Sequence, residues 1–243
     1  ESESAELNDK LVRHAQRWVD LLGKRTDDGI VFRVDLMLRP FGSAAPIVQP
    51  LSAMETYYQT HGRAWERYAW VKARVVAGDM AAGTKLLRTL QPFIYRKYLD
   101  YTVLENLREL KQKITQEAVL TGKIDDIKVG EGGIRECEFI VQCVQLLRAG
   151  REPSLQSSHW FSALTHIEQL GLLAPARCEE LRQAYRFFRQ LENAVQMRED
   201  SQTHVLPSDP IHQTHIAYAL GYEGTAEAVR EQLHTQWQQH RHT

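Results

Sequence analysis

Three stretches of this sequence set charged or polar side chains among apolar ones at spacings that could do chemistry. In "GIVFRVDLMLRPFGSAAP", residues 29 to 46, Arg33, Asp35 and Arg39 occupy odd positions beside Val31 and Met37. Ile30, Phe32, Val34, Leu36 and Leu38 hold the even ones. A two-residue period makes this a strand with one apolar face and one face carrying an acid between two arginines. Such a face can be a solvated one whose charges pair for solubility. It can equally present Asp35 to a divalent cation such as Mg²⁺, which prefers oxygen ligands, with Arg33 and Arg39 holding phosphate. One carboxylate does not make a two-metal phosphoryl-transfer centre, and no nearby acid completes it.

The second stretch is "HGRAWERYAWVKARVVAGD". On a helix, Arg63, Arg67 and Arg74 fall on roughly one face, with Glu66 and Lys72 beside it. Two readings stand: a solvated face with intrahelical pairs, or a basic wall in which Arg67, Lys72 and Arg74 hold a nucleotide or anionic substrate. The third is "KVGEGGIRECEFIVQCVQLL". Gly130, Gly132 and Gly133 precede a helix, where glycine turns can bind phosphate, yet neither G-x-G-x-x-G nor a P-loop is present. Arg135, Glu138 and Gln142, spaced i, i+3 and i+7, form a polar line on an otherwise apolar helix and need partners if buried. They are either a structural network or the lining of a cleft. His212 and His215 lack an acid or cysteine that would complete a ligand set.

The elements that must carry these residues divide the chain near Gly78. Leu7, Leu11, Ala15, Trp18, Val19 and Leu22 repeat with a helical period and Gly23 ends the run. A strand is expected over 30–38, a short second strand over 47–51, and a helix begun by Ser52 with Glu55 as a capping box. The spacing predicts a further helix over 63–77. Beyond Gly78 every element reads as helix: one broken at Pro92, one over 102–120, then 134–149, 159–170, 175–199, 209–220 and 225–239. The expected fold is mainly α with a small β part. It comprises an α/β piece over residues 1–78, with too few strands for a stable sheet of its own, and an all-helical bundle over residues 79–243.

Composition narrows the class. Thirty Lys and Arg face thirty-one Asp and Glu, a net charge of −1, so no global field draws the chain to nucleic acid or membrane. No apolar run reaches the length of a membrane span. Cys137, Cys143 and Cys178 show neither metal spacing nor a disulfide framework, which points to small core residues in a reducing, cytoplasmic protein.

"FRVDLMLRPFG", "WERYAWVKAR" and "GGIRECEFIVQ", in that order, resemble the bacterial bifunctional glutamine synthetase adenylyltransferase/adenylyl-removing family, from about Leu11 to Pro207. That family joins two similar halves, each a nucleotidyltransferase domain followed by a helical domain. "PFIYRKYLDY", "GREPSLQS" and "DSQTHVLPSD" resemble the half that removes AMP. The resemblance implies the phosphorolysis of adenylylated tyrosine on glutamine synthetase, with orthophosphate consumed and ADP released, Mg²⁺ as cofactor and the PII signal protein as regulator. It makes Asp35 the third acid of the metal centre. The Gly-Ser…Asp-x-Asp motif that supplies the other two is absent, so the expectation is a fragment holding one carboxylate of three and inactive alone. Two alternatives remain: the AMP-adding half, which uses ATP, and a non-catalytic helical module that docks glutamine synthetase or PII.

Overall fold

The computed structural model describes residues 2–97, 126–197 and 203–242, with isolated helical positions between 105 and 120. They form two compact units, residues 1–94 and 95–243.

In the first unit, helix α1 (Ser2–Gly23) follows its apolar period, and Phe32 N–H donates to the Leu22 carbonyl beyond its end, at 2.8 Å. The expected strand over 30–38 does not form. A strand is held by the N–H and C=O groups of a neighbour, and among the described residues the only bridges are the isolated pairs Thr26–Gly29 and Asp126–Val205. The alternation therefore has no partner strand: Val34 and Leu36 of its apolar face are half-buried, but Phe32 and Leu38 are 66% and 59% exposed. The second strand over 47–51 is absent too. Helix α2 (Leu51–Thr60) begins after Pro50 with no side-chain cap, and Glu55 bonds Gln59 one turn on, so the expected capping box is not made.

Helix α3 (Ala64–Trp70) is shorter than the sequence implied. Val71 is buried and the chain tightens through Lys72 and Ala73 N–H bonds to Ala69 and Trp70. The β-branched pair Val75–Val76 and left-handed Gly78 then disfavour continuation. Helix α4 (Met80–Ile94) is capped by Asp79, whose Oδ1 accepts from Ala82 N–H. It runs through Pro92 unbroken, since that proline sits in the last turn, where it forfeits a single backbone bond. Tyr58 fills the centre of this unit, edge-on to Trp70 and tilted against Phe93.

In the second unit, α5 (Ile134–Arg148), α6 (Trp160–Gln169), α7 (Pro175–Gln196), α8 (Pro210–Ala219) and α9 (Ala226–Arg241) pack as a bundle. The last three starts have a local cause: Asp209 and Thr225 accept from N–H groups of α8 and α9, and Pro175 and Pro210 occupy first-turn positions. Trp160 joins three helices, donating its Nε1–H to the Cys137 carbonyl at 3.1 Å and stacking on Tyr185 at 4.1 Å. Burial pushes the Cys137 and Cys143 thiols up to about 12, which leaves them inert at neutral pH. The helix expected over 102–120 lies outside the described residues save for its isolated positions. No described helix is long and apolar enough to cross a membrane.

His240 of α9 lies against Phe187 and Phe188, and burial holds it below its ordinary value of 6.5. The unfolded chain then binds more protons than the folded one as the solution acidifies. Stability from this site is complete above that ordinary value and is lost as pH falls through the lower folded one. Urea titrations between about pH 7.5 and pH 5.5 should show a shallower loss in His240→Phe than in the unmodified chain.

Candidate functional site

Asp35 is exposed, and its Oδ1 accepts the Met37 N–H at 2.9 Å, closing the turn that ends the extended segment. Its second oxygen has no hydrogen-bond or ion-pair partner among the described residues. Arg33 is exposed beside it. Arg39 is held inward, donating Nε–H to the Ala45 carbonyl at 3.0 Å and Nη1–H to that of Leu36 at 2.7 Å. The guanidinium that sequence spacing offered to phosphate thus folds the loop over 36–45.

The stretch around α3 separates in the same way. Arg67 is 5% exposed and donates Nε–H and Nη2–H to the Ile94 carbonyl at 3.3 and 3.1 Å, so it ties α3 to the end of α4. Arg74 lies beyond the helix and is exposed, as is Lys72. Glu66, 2% exposed, accepts from the Tyr57 hydroxyl at 2.9 Å and from Arg63 N–H at 2.8 Å. Burial, reinforced by that carboxylate, raises Tyr57 above the usual phenol range. This buried acid–phenol pair was not singled out from the sequence. Tyr57 and Glu66 lie on different helices, and only the apolar run around Glu66 hinted that it turns inward.

Phe41, Tyr57, His61, Arg63 and Trp65 surround a cavity of about 630 Å³ that begins two residues after Asp35 with Met37. Phe41 meets Tyr57 edge-on at 4.5 Å, and His61 stacks on Tyr57 at 5.9 Å.

In the helical unit, Glu138 Oε1 accepts from Tyr185 OH at 3.1 Å, joining α5 to α7, and Arg135 is half-buried near the start of the same helix. Gln142 is 2% exposed, and neither its amide N–H₂ nor its carbonyl finds a partner among the described residues. An unpaired buried amide costs about 1–3 kcal/mol. Gln142→Met, nearly the same volume, should therefore raise the thermal midpoint by that scale of stability, measured against the unmodified chain by calorimetry.

Glu192, 3% exposed on α7, was also missed. It accepts from Arg189 at 2.7 Å and lies 3.1 Å from His204 Nδ1 and 3.9 Å from Lys128. Only its i, i+3 spacing from Arg189 was visible in the sequence. The glycine turn before α5 makes internal bonds: Gly130 and Gly133 N–H donate to Asp126 and Gly130 carbonyls, and Gly132 N–H to Glu136.

Among the described residues, no three His, Cys, Asp or Glu side chains converge on a space that would hold a metal ion. Asp35 supplies one oxygen set, which does not fit Mg²⁺ by itself.

Comparison with known proteins defines the class. A family model described as GlnD PII-uridylyltransferase matches residues 108–243, more than half of the chain. Another, described as glutamate-ammonia ligase adenylyltransferase, matches residues 1–89. Both names are those of nucleotidyltransferases. The chain is 52% identical over 210 residues, 86% of its length, to the bifunctional glutamine synthetase adenylyltransferase/adenylyl-removing enzyme of Stenotrophomonas maltophilia. It is 48% identical over 221 residues, 91% of its length, to the enzyme of that name from Pseudomonas aeruginosa. The chain belongs to this family of bifunctional adenylyltransferase/adenylyl-removing enzymes. It spans 23% and 22% of the length of those two relatives.

Proposed function

We propose that the chain is part of a nucleotidyltransferase that removes AMP from an adenylylated tyrosine of glutamine synthetase by phosphorolysis. What supports this reading is the identity of about half over most of the chain to enzymes that carry both activities in their names. The segments "PFIYRKYLDY", "GREPSLQS" and "DSQTHVLPSD" favour the AMP-removing half. Residues 1–78 would be a partial nucleotidyltransferase domain and residues 79–243 its helical companion, in a cytoplasmic enzyme that controls nitrogen assimilation.

In the reaction, an orthophosphate oxygen attacks the AMP phosphorus in line, the bond from phosphorus to the tyrosyl oxygen breaks, and the phenolate takes up a proton. The products are ADP and unmodified glutamine synthetase. Asp35, with a free oxygen at the surface, is the one acid of this chain assigned to that centre. Mg²⁺ is the cofactor proposed for it, although Asp35 alone does not supply the oxygen ligands that ion needs. Arg33, Lys72 and Arg74 are exposed cations suited to phosphate. Arg39 and Arg67 would serve by shaping the loop and helix, given their carbonyl partners. The test is Asp35→Asn in the full-length protein, assayed for orthophosphate-dependent AMP removal and for ATP-dependent adenylylation.

A second reading concerns the helical unit, which the PII-uridylyltransferase model matches. It would dock glutamine synthetase or the PII signal protein without touching the reacting atoms. Calorimetric titration of the chain with each protein addresses it, and heat from neither would remove the reading.

A further inference from the structure

The peptide group between Leu36 and Met37 is bonded on both sides by charged side chains. Its N–H donates to Asp35 Oδ1 at 2.9 Å, and its carbonyl accepts from Arg39 Nη1–H at 2.7 Å. A peptide group is planar and rigid, so holding the carbonyl also sets the direction of the N–H. Asp35 is exposed, and this N–H is the one partner of its carboxylate among the described residues. The aim of the carboxylate thus depends on a plane that Arg39 fixes. The same guanidinium donates Nε–H to the Ala45 carbonyl at 3.0 Å, at the far end of the loop over 36–45. Two neighbouring N–H groups of one rigid fork hold both carbonyls at a set separation, which a lysine ammonium on its flexible stem cannot do.

The rest of the loop is restrained as well. Arg39 N–H donates to the Leu36 carbonyl at 3.4 Å and Gly42 N–H to the Arg39 carbonyl at 2.9 Å. Pro40 is buried, and its carbonyl accepts from Gln49 Nε2–H at 3.3 Å. Phe41 holds φ 60° and ψ 9°, a left-handed conformation that costs a bulky residue, with its ring edge-on to Tyr57 at 4.5 Å. Such strain persists only where the surroundings over-determine it. Here it lies in the loop that directly follows Asp35.

We infer that Arg39 is a positioning residue: it fixes the Leu36–Met37 peptide, which in turn aims the Asp35 carboxylate at the reacting centre. This rests on the proposed function, which puts Asp35 in the chemistry. It also takes Arg39 out of the phosphate contacts that its charge suggests, since both of its bonded N–H groups are committed to backbone. A reacting group displaced by about 1 Å loses about a hundredfold in rate, so a residue that never touches substrate can still control turnover.

The experiment uses full-length protein carrying Arg39→Gln, Arg39→Lys, Asp35→Asn or the double change Asp35→Asn with Arg39→Gln. Phosphorolysis of adenylylated glutamine synthetase is followed against orthophosphate concentration. Arg39→Gln should lower kcat by about tenfold or more, with KM for orthophosphate within about twofold. Arg39→Lys keeps the charge but not the fork, and should lose nearly as much. The double variant should be within about twofold of Asp35→Asn, because Arg39 acts through Asp35. Hydrogen–deuterium exchange supplies a readout apart from activity: in Arg39→Gln the amides of residues 36–39 should exchange about tenfold faster while those of α2 and α3 keep their rates. The inference is overturned if KM for orthophosphate rises in place of the fall in kcat, if Arg39→Lys restores the rate, or if the two losses multiply in the double variant. Unchanged exchange over 36–39 overturns it too, as does a loss of protection that spreads through α2 and α3. Asp35→Asn separates this inference from the reading beneath it. If Asp35→Asn is slow and Arg39→Gln is not, the role of Arg39 alone falls; if Asp35→Asn slows neither reaction, the assignment of Asp35 falls and takes this role with it.

Discussion

Full-length protein carrying Asp35→Asn should melt as the unmodified protein does, yet release AMP from adenylylated glutamine synthetase about a hundredfold more slowly or worse. The first half of that expectation follows from geometry. Asp35 is exposed and makes one bond, its Oδ1 accepting from Met37 N–H. The Asn side chain retains an oxygen at that place, so the turn closes as before while the negative charge disappears. Alanine would confound the result by opening the turn. The second half follows from the assignment: a carboxylate placed where charge must be held cannot be replaced by a neutral amide without losing most of its effect. Orthophosphate-dependent formation of ADP measures it, with ATP-dependent adenylylation by the same protein as the internal control. Loss of phosphorolysis alone places the chain in the AMP-removing half. Loss of adenylylation alone would place it in the AMP-adding half, and two unchanged rates would take Asp35 out of the chemistry.

The helical unit was legible because its causes are local. Helix starts at Asp209 and Thr225, the prolines at 175 and 210, and the apolar periods of α5 to α9 each act within a few residues. The bounds expected from the sequence accordingly lie within a few residues of those observed, as at 134–149 against Ile134–Arg148. The first unit was harder, because a strand is a relation between segments. Ile30 to Leu38 alternates as a strand should, yet alternation states only a preference that a neighbouring backbone must satisfy. The same limit applies to the site. Arg33, Asp35, Arg39 and Arg67 read alike as charges in apolar company, and only the fold separates exposed Arg33 from Arg67 turned to the Ile94 carbonyl. The pairing of Tyr57 with Glu66 and the cavity beside it involve residues up to the reach of two helices, which no spacing rule foresees.

Gly132 carries the strongest stability expectation, and it changes how the glycine turn should be understood. Its φ is +70°, a region costing other residues about 1–2 kcal/mol. A Cβ there would also stand 2.1 Å from the Arg241 carbonyl oxygen at the end of α9, whose side-chain Nε–H donates to the Glu131 carbonyl at 3.0 Å. Backbone cannot rotate away as a side chain can, so α9 or the turn must move, adding about 1–3 kcal/mol. Gly132→Ala should therefore cost about 2–5 kcal/mol in urea denaturation. Two controls divide that sum. Gly171 has φ +63° with nothing within 4 Å of its would-be Cβ, so Gly171→Ala should lose the conformational part alone. Gly133 has φ −80° but a Cβ would approach the Ile127 carbonyl to 2.5 Å, so Gly133→Ala should lose stability through a backbone clash of its own, with no conformational part. If Gly132→Ala is no worse than Gly171→Ala, the close seat of α9 on this turn is refuted. If it is worse by the predicted margin, Gly132 is there to let the backbone at the end of α9 approach this turn.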